Sequence, residues 1–280
     1  MRIALVVNPA SGRSLDPASL VAAMGNVDVT VVAPGKPVGN VDRIVVAGGD
    51  GTVAPAAALA SELDVPLGVI AGGTANDFAR VNGLPFDPVE AARLAAHGTT
   101  LRPMELGRLA DGRPFVNSAA AGLASVAGRR AQPLKSRFGP LAYAIGAVRA
   151  AVSGRPLPCR VGIDGAEVFD GAVWQVIVAC TGAFGGGSGI GAADSNDGDL
   201  DVVIIPAGSR LGLVRRAWGL RTKTIERQRA VPHFVGRVVE VSLPSGVEVN
   251  CDGEFVNGGL ERVTARANAF RLVVPANGGH

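Results

Sequence analysis

The chain has 280 residues, of which 48% are hydrophobic, 18% are charged and only 4% are aromatic, and this composition excludes a disordered protein. Its length accommodates one large domain or two modest ones. The net charge of +3 permits an anionic partner but does not by itself indicate nucleic-acid binding, which usually shows clusters of basic and aromatic residues, and we expect no nucleic-acid partner.

The cysteines and histidines are few and scattered. An odd count of three cysteines, none in a Cys-x-x-Cys pair, argues against a disulfide framework, and the three isolated histidines indicate no zinc site. The N-terminus begins with a strand pattern and no signal peptide, and glycines interrupt the long uncharged stretch 171–193. We expect a cytoplasmic protein that is at most peripheral at the inner face of a membrane.

The first third of the chain alternates between strand and helix patterns. Apolar, β-branched runs predict strands at 3–7, 27–32, 43–46 and 66–70, and helical patterns lie at 15–24, 53–63 and 85–96. This alternation is typical of an α/β domain with a three-layer, Rossmann-like parallel sheet.

A glycine-rich turn follows the third predicted strand, and the rest of the chain is organised around it. Its residues are Gly48-Gly49-Asp50-Gly51-Thr52. Glycines let backbone N–H groups approach a ligand, and a helix N-terminus favours an anion, so a strand, a glycine turn and a helix together predict a phosphate site. Within the turn, Asp50 is able to brace the glycine amides or to face a metal ion.

Two further turns follow the first and fourth predicted strands. They are Asn8-Pro9-Ala10-Ser11-Gly12-Arg13 and Gly72-Gly73-Thr74-Ala75-Asn76. Ser11 and Arg13 would contact a phosphate unless the first turn is only a chain reversal. Thr74 offers a hydroxyl group, whereas Asn76 and Asp77 would equally well cap the next helix. Because ligands bind at the carboxyl ends of parallel strands, we expect the two glycine turns to face one triphosphate.

After residue 107 the pattern changes to short strands and turns, which predicts a mostly antiparallel β-sandwich. The predicted strands are 113–118, 160–163, 167–169, 173–180, 238–243, 247–251, 263–266 and 270–274, with a helix starting at Lys135 and running to 152. A basic helix is predicted at 211–230. Its charged face would lie either in solvent or on an anionic bilayer, and the pattern leaves both open.

Two acidic segments occur in this second part of the chain. Asp194, Asp197, Asp199 and Asp201 place four carboxylates within eight residues, which suits either a hard cation or a solvated turn. Asp252-Gly253-Glu254 follows a predicted strand, where it forms either a pair of catalytic acids or the turn of a hairpin.

The ordered blocks Asn8-Pro-x-Ser-Gly, Gly48-Gly-Asp-Gly-Thr and Gly72-Gly-Thr-Ala-Asn-Asp-Phe-Ala-Arg resemble the diacylglycerol kinase catalytic-domain family. That family shares its fold with NAD kinases. The resemblance implies an ATP-dependent kinase that phosphorylates a hydroxyl of a membrane lipid such as diacylglycerol, with ATP and Mg²⁺ as cofactors. It also implies a nucleotide-binding α/β domain over 1–106 plus 268–280, a β-sandwich substrate domain over 107–267, and a C-terminal segment that returns to the first domain.

The resemblance assigns roles to the residues of these blocks. The nucleotide would be bound by three sets of residues: Asn8, Pro9, Ser11, Gly12 and Arg13 of the first turn, Gly48 to Thr52 of the second, and Gly72, Gly73, Thr74 and Asn76 of the third. In the acidic loop, Asp194 and Asp199 through their carbonyls and Asp197 through its side chain would hold a structural Mg²⁺. Glu254 would accept the proton of the lipid hydroxyl, with Asp252 as a second acid or a metal partner.

One departure from the family pattern keeps other functions open. The family continues the second block with a hydrophobic residue and then Asn-Glu, whereas this chain has Val53-Ala54-Pro55. The missing Asn-Glu motivates a catalytically weak nucleotide-binding protein as one alternative. The shared fold leaves a second alternative open, a kinase of a soluble alcohol, including NAD. A monomer and a homodimer are both compatible with the sequence.

Overall fold

A computed structural model of the chain describes residues 1–12, 15–123, 154–183, 187–190 and 197–276, so the helix predicted from Lys135 lies outside the described residues. The helices are α1 (Pro17–Met24), α2 (Asp50–Leu63), α3 (Asp77–Val81), α4 (Pro88–His97) and α5 (Arg210–Arg221). The first seven strands are β1 (Arg2–Val7), β2 (Asp28–Val32), β3 (Arg43–Gly48), β4 (Leu67–Ala71), β5 (Leu101–Arg108), β6 (Pro114–Phe115) and β7 (Ser118–Gly122). The others are β8 (Leu157–Ile163), β9 (Ala166–Ala179), β10 (Leu200–Pro206), β11 (His233–Gly236), β12 (Val238–Ser242), β13 (Glu248–Cys251), β14 (Glu254–Asn257) and β15 (Val263–Val273).

The N-terminal strands form a parallel sheet in the order β4-β3-β1-β2. Successive side chains of a strand point to opposite faces, and both faces of this sheet are covered. Val46 of β3 packs in the cluster that contains α2, while its neighbour Val45 packs in the cluster that contains α1 and α4. The predicted three-layer α/β arrangement is confirmed.

The strands of the C-terminal half pair mostly in antiparallel fashion, in the order β14-β13-β7-β9-β8-β12-β15, and β10 adds to β9. Val161, Val178 and Val202 are completely buried in the hydrophobic core of this half. The return of the C-terminal segment is also confirmed, because Leu272 of β15 pairs in parallel with Leu67 of β4.

Several predicted elements differ in extent from the observed ones. The strands predicted at 167–169 and 173–180 form one strand, β9. Those predicted at 263–266 and 270–274 form β15, which keeps its hydrogen bonds across a bulge next to Asn268, a residue with φ of 49°. The basic helix ends at Arg221 instead of 230, because Lys223 takes a left-handed conformation with φ of 55° that breaks the helix.

Two further expectations concern disulfide bonds and membrane-spanning helices. Cys159, Cys180 and Cys251 are buried free thiols. Among the helices of the described ranges, none has the length together with the apolar character that crossing a bilayer would need.

Candidate active site

The three predicted turns meet at one edge of the sheet, where β1, β3 and β4 end. The Nδ2 group of Asn8 donates a hydrogen bond of 2.9 Å to Oγ1 of Thr52. The backbone N–H of Gly72 donates one of 2.8 Å to the carbonyl of Gly48. These bonds tie the first turn to the second and the second to the third, as the parallel order of the strands predicts.

Glycines allow this close approach of the turns. A Cβ atom added to Gly73 would lie 2.7 Å from the Cα of Gly49, and one added to Gly12 would lie 2.8 Å from Oγ1 of Thr74. Real Cβ atoms do not approach other atoms so closely, so a side chain at these positions would push the turns apart. The cleft edge is therefore formed by bare backbone, which is what a phosphate-binding surface needs.

Asp50 braces the start of α3 from the neighbouring turn. Its carboxylate accepts hydrogen bonds from the backbone N–H groups of Asp77 (3.1 Å) and Phe78 (2.9 Å). Burial raises the pKa of Asp50, and the nearby Asp77 charge adds to that effect. Asn76 does not cap α3, because its side chain instead bonds the backbone N–H and C=O of Gly73 and closes the third turn.

Asn117, which the sequence interpretation placed only in a strand, connects the two halves of the chain. Its Nδ2 group donates to Oδ1 of Asp50 at 3.3 Å, and its Oδ1 accepts from the hydroxyl of Thr181 at 2.9 Å. A second link runs from the backbone N–H of Gly187 to Oδ1 of Asp77, at 2.7 Å. The only sequence signal for Asn117 is a polar residue that ends an apolar run.

Glu254 lies against the central glycine turn. It follows Asp252 and Gly253 at the tight turn between β13 and β14, so the segment is a hairpin turn and also reaches the site. A Cβ atom added to Gly51 would lie 2.8 Å from Cδ of Glu254 and 3.0 Å from its Cγ. The exposed carboxylate of Glu254 therefore sits directly beside the backbone of Gly51.

Asp252 points the other way, into the protein. Its carboxylate accepts hydrogen bonds of 2.8 to 2.9 Å from the backbone N–H groups of Val116, Asn117 and Ser118. Burial raises the pKa of Asp252 to about 7, against the effect of those three donors. The arrangement holds Asn117 in place and directs the hairpin that carries Glu254.

We expect Asp252→Asn to destabilise the protein at pH 8, where the wild-type carboxylate is mostly ionised. The amide has one acceptor oxygen for three N–H donors, so at least one donor would face the new NH2 group. An unsatisfied buried group costs about 1–3 kcal/mol. Urea unfolding with an unchanged m-value measures the loss. Full wild-type stability of Asp252→Asn would contradict the bracing role.

The acidic loop is described only from Asp197 onwards, so Asp194, like Arg13 in the first turn, lies outside the described residues. The Oδ1 atom of Asp197 accepts from the backbone N–H of Asp199 at 2.9 Å, and the Asp199 carboxylate pairs with Arg237 at 3.2 Å. No group of three metal-ligating side chains occurs within the described ranges.

A buried carboxylate lies under this loop. Oε2 of Glu105, a residue that is 1% exposed, accepts a hydrogen bond of 3.0 Å from the N–H of Gly198. Burial, with smaller contributions from the charges of Asp197 and Asp201, raises the pKa of Glu105 to about 8.

The raised pKa of Glu105 predicts a pH-dependent stability in chelator-treated protein. Between pH 4.5 and about 8 the unfolded chain releases this proton while the folded chain keeps it, so the wild type loses stability as the pH rises. Glu105→Gln removes this loss, of order 3 kcal/mol. Denaturant unfolding at pH 5.5 and pH 9 measures both proteins. Equal pH slopes for the wild type and Glu105→Gln would contradict the prediction.

Two family models match, each over its own part of the chain. The model described as the diacylglycerol kinase catalytic domain matches residues 17–109. The one described as the YegS C-terminal NAD kinase beta sandwich-like domain matches residues 117–274. A diacylglycerol kinase of Mycobacterium tuberculosis is 32% identical over 243 residues, which is 85% of this chain and 78% of that protein.

Solved structures show the same fold at lower identity. A putative diacylglycerol kinase from Bacillus anthracis superposes with a TM-score of 0.77 at 22% identity, covering 98% of this chain and 97% of that one. An NAD kinase from Archaeoglobus fulgidus in complex with ATP superposes with a TM-score of 0.53 at 17% identity, covering 98% and 93%.

Proposed function

Since the chain belongs to the diacylglycerol kinase catalytic-domain family, we propose that it transfers the γ-phosphate of ATP to a hydroxyl group of a membrane lipid such as diacylglycerol. The membership predicted from the motifs is confirmed by the match over residues 117–274, more than half of the chain, and by the relative that is 32% identical. The chain is accordingly a kinase, and the lipid acceptor is the part that we propose.

The observation that carries the proposal is the position of Glu254. A carboxylate from the C-terminal half lies beside Gly51, in the turn that would hold the phosphates. A phosphoryl acceptor entering between the two halves would meet the γ-phosphate and this carboxylate together, and a general base must lie within hydrogen-bond reach of the proton that it accepts.

The nucleotide phosphates would lie on the edge where the turns meet. Helix α2 has Gly49 as its N-cap residue and therefore no side-chain cap, so its first N–H groups and its positive dipole end suit an anion. The hydroxyls of Thr52 and Thr74 would donate to phosphate oxygens. The proposed nucleotide-binding residues are Asn8, Pro9, Ser11, Gly12, Arg13, Gly48, Gly49, Asp50, Gly51, Thr52, Gly72, Gly73, Thr74 and Asn76.

The chemistry of such a transfer is positioning and charge stabilisation more than covalent catalysis. The acceptor oxygen forms a bond to the γ-phosphorus, and the bond from that phosphorus to the bridging oxygen of ADP breaks. Glu254 takes the hydroxyl proton as the bond forms. Asp50 and Asn117 keep the glycine turn and α3 in register with the second half of the chain.

We also propose a structural Mg²⁺ at the acidic loop, held by the Asp197 side chain and by the carbonyls of Asp194 and Asp199. The surroundings suit a cation in one respect, because the buried carboxylate of Glu105 lies directly under the loop and accepts a hydrogen bond from Gly198. The Asp199 carboxylate is engaged by Arg237, which leaves its carbonyl as the group for a metal. A different magnesium ion, the one bound together with ATP, would neutralise charge on the phosphates.

The division of the chain that we propose follows the sequence prediction. Residues 1–106 with 268–280 would bind the nucleotide, and 107–267 would bind the lipid. The bulge of β15 between Arg266 and Phe270 falls at this boundary. Before the bulge β15 pairs with β12 of the second part, and after it β15 pairs with β4 of the first.

The test compares acceptors under one set of conditions. Purified protein receives γ-labelled ATP and Mg²⁺ with diacylglycerol in mixed detergent micelles, or with NAD in the same detergent. We expect labelled phosphatidic acid and no labelled NADP. If only NADP were labelled, the acceptor would be a soluble alcohol and not a lipid. ATP binding without label in either product would favour a nucleotide-binding protein that does not turn over.

A further inference from the structure

The positive charge of the chain is concentrated in one segment, residues 210–230, which we name the α5 surface. Of the 27 Lys and Arg residues, seven lie in this segment, together with only one of the 24 acidic residues. The segment is thus +6 in a chain of net charge +3, so the rest of the chain is net negative by three. A positive charge that is concentrated in one segment favours the attraction of an anionic partner to that segment.

Six of the seven cations of the α5 surface are exposed, and the seventh, Arg216, is partly buried and donates to the carbonyl of Pro206. Arg210, Arg215, Arg221, Lys223, Arg227 and Arg229 are all exposed. The helix dipole does not account for all of them, since it favours Arg221 in the last turn but disfavours Arg210 in the first. The single acid, Glu226, has a side chain that is only 10% exposed and pairs with Arg227 at 3.6 Å.

An exposed tryptophan stands among these cations. Trp218 is 70% exposed, more than any other large hydrophobic side chain of the described ranges. Arg215 and Arg221 lie three residues before and after it, so all three share one face of the helix. Tryptophan is enriched at membrane–water interfaces, where its ring is half immersed and its N–H stays hydrated.

The α5 surface is connected to the candidate active site. The backbone N–H of Gly189 donates to the carbonyl of Leu220 at 2.9 Å, and Arg221 donates to the carbonyl of Gly187 at 3.3 Å. Gly187 in turn donates to Asp77 at the start of α3. One short loop thus separates the end of α5 from the cleft, so a surface bound along α5 would lie beside the entrance for an acceptor.

We propose that the α5 surface docks the protein on an anionic lipid bilayer, with Trp218 entering the headgroup region and Arg215 and Lys223 facing the lipid phosphates. The inference deepens the proposed function and rests on it, because a bilayer is where a lipid acceptor is held. Charge complementarity selects this partner. The α5 surface has one Trp and many cations, which matches an anionic interface and not a hydrophobic protein groove.

The test uses sedimentation with vesicles of phosphatidylglycerol and phosphatidylcholine, and with vesicles of phosphatidylcholine alone. The variant Arg215→Gln/Lys223→Gln should bind the anionic vesicles about 30-fold more weakly, since each cation at such a surface contributes about fivefold. The control Arg93→Gln/Arg266→Gln makes the same charge change at exposed positions on α4 and β15. We expect the control to bind like the wild type. Equal losses in both variants, or none in either, would overturn the proposal.

Fluorescence gives a second readout on the same samples. The chain has two tryptophans, and Trp174 is only 4% exposed, so a blue shift on adding anionic vesicles reports Trp218. The shift should vanish in Trp218→Ala and with phosphatidylcholine alone. A dimer in the absence of lipid that Trp218→Ala abolishes would assign the surface to a second copy of the chain and contradict the proposal.

These outcomes separate the docking from the kinase activity. Arg215→Gln/Lys223→Gln should retain turnover of a short-chain diacylglycerol in detergent micelles and lose it on anionic vesicles. Vesicle binding that depends on these residues, with no lipid phosphorylation by the wild type in either system, would overturn the proposed function while leaving the docking intact.

Discussion

Replacing Glu254 by glutamine is expected to lower kcat for phosphoryl transfer by about 10²–10⁴. The amide keeps the size of the side chain beside Gly51 but cannot accept the hydroxyl proton of the acceptor. The affinity for ATP should not fall, because the variant removes a negative charge beside the turn that would hold the phosphates. The free energy of unfolding should stay near the wild-type value, because Glu254 is exposed. Single-turnover kinetics and calorimetric titration with ATP measure the two effects.

The matched control for this variant is Glu62→Gln. Glu62 is an exposed glutamate on α2, the helix that starts at the same turn, and it lies about 16 Å along the helix axis from Gly51. Its replacement changes the charge equally and should leave kcat unchanged. A Glu254→Gln enzyme that turns over like Glu62→Gln would show that this carboxylate is not the base.

The second large effect is expected for Gly73→Ala. Its new Cβ would lie 2.7 Å from the Cα of Gly49, and backbone atoms cannot move aside as a flexible side chain does. Crowding of this kind costs about 1–3 kcal/mol, so we expect the affinity for ATP to fall by about tenfold or more. Calorimetric titration with ATP measures the change.

Gly39→Ala provides the control for the second prediction. No heavy atom lies within 4 Å of a Cβ built at Gly39, and its φ is not in the left-handed region. This substitution should leave both ATP affinity and stability within experimental error of the wild type. If Gly73→Ala bound ATP as tightly as Gly39→Ala, the turns would not form the nucleotide site together.

The meeting of the three turns could be predicted from the sequence, because its cause is local. β-branched runs that end in glycine turns predict parallel strands, and the carboxyl ends of such strands share one edge of the sheet. The bonds from Asn8 to Thr52 and from Gly72 to Gly48 agree with that expectation. The roles of these residues in nucleotide binding stay predictions.

Other parts of the site depend on contacts between distant segments, and the sequence offers no period or spacing for them. Asp50 caps a helix that begins 27 residues later, where the local candidates Asn76 and Asp77 were the obvious caps. Asn117 bonds Asp50 across the two halves of the chain. The contact of Asp50 requires two neighbouring strand–helix units of the first half to pack together, and the contact of Asn117 requires the second half to pack on the first. Composition and periodicity encode neither contact locally.

The segment Asp252 to Glu254 has one feature that follows from the local sequence and one that does not. Its turn chemistry is local, and Asp252 and Gly253 take φ values of 47° and 90° that suit a tight hairpin. The opposite directions of the two carboxylates are not local. They follow from the pairing of β13 with β7, which turns Asp252 toward buried amides and leaves Glu254 beside Gly51.

The measurement that tests the account most directly is transfer of label from γ-labelled ATP into a total lipid extract, by the wild type and by Glu254→Gln in parallel. The account predicts a labelled lipid with the wild type that falls by at least about 10² in rate with the variant. An unlabelled extract with a wild-type protein that binds ATP, or equal labelling by both proteins, would contradict it.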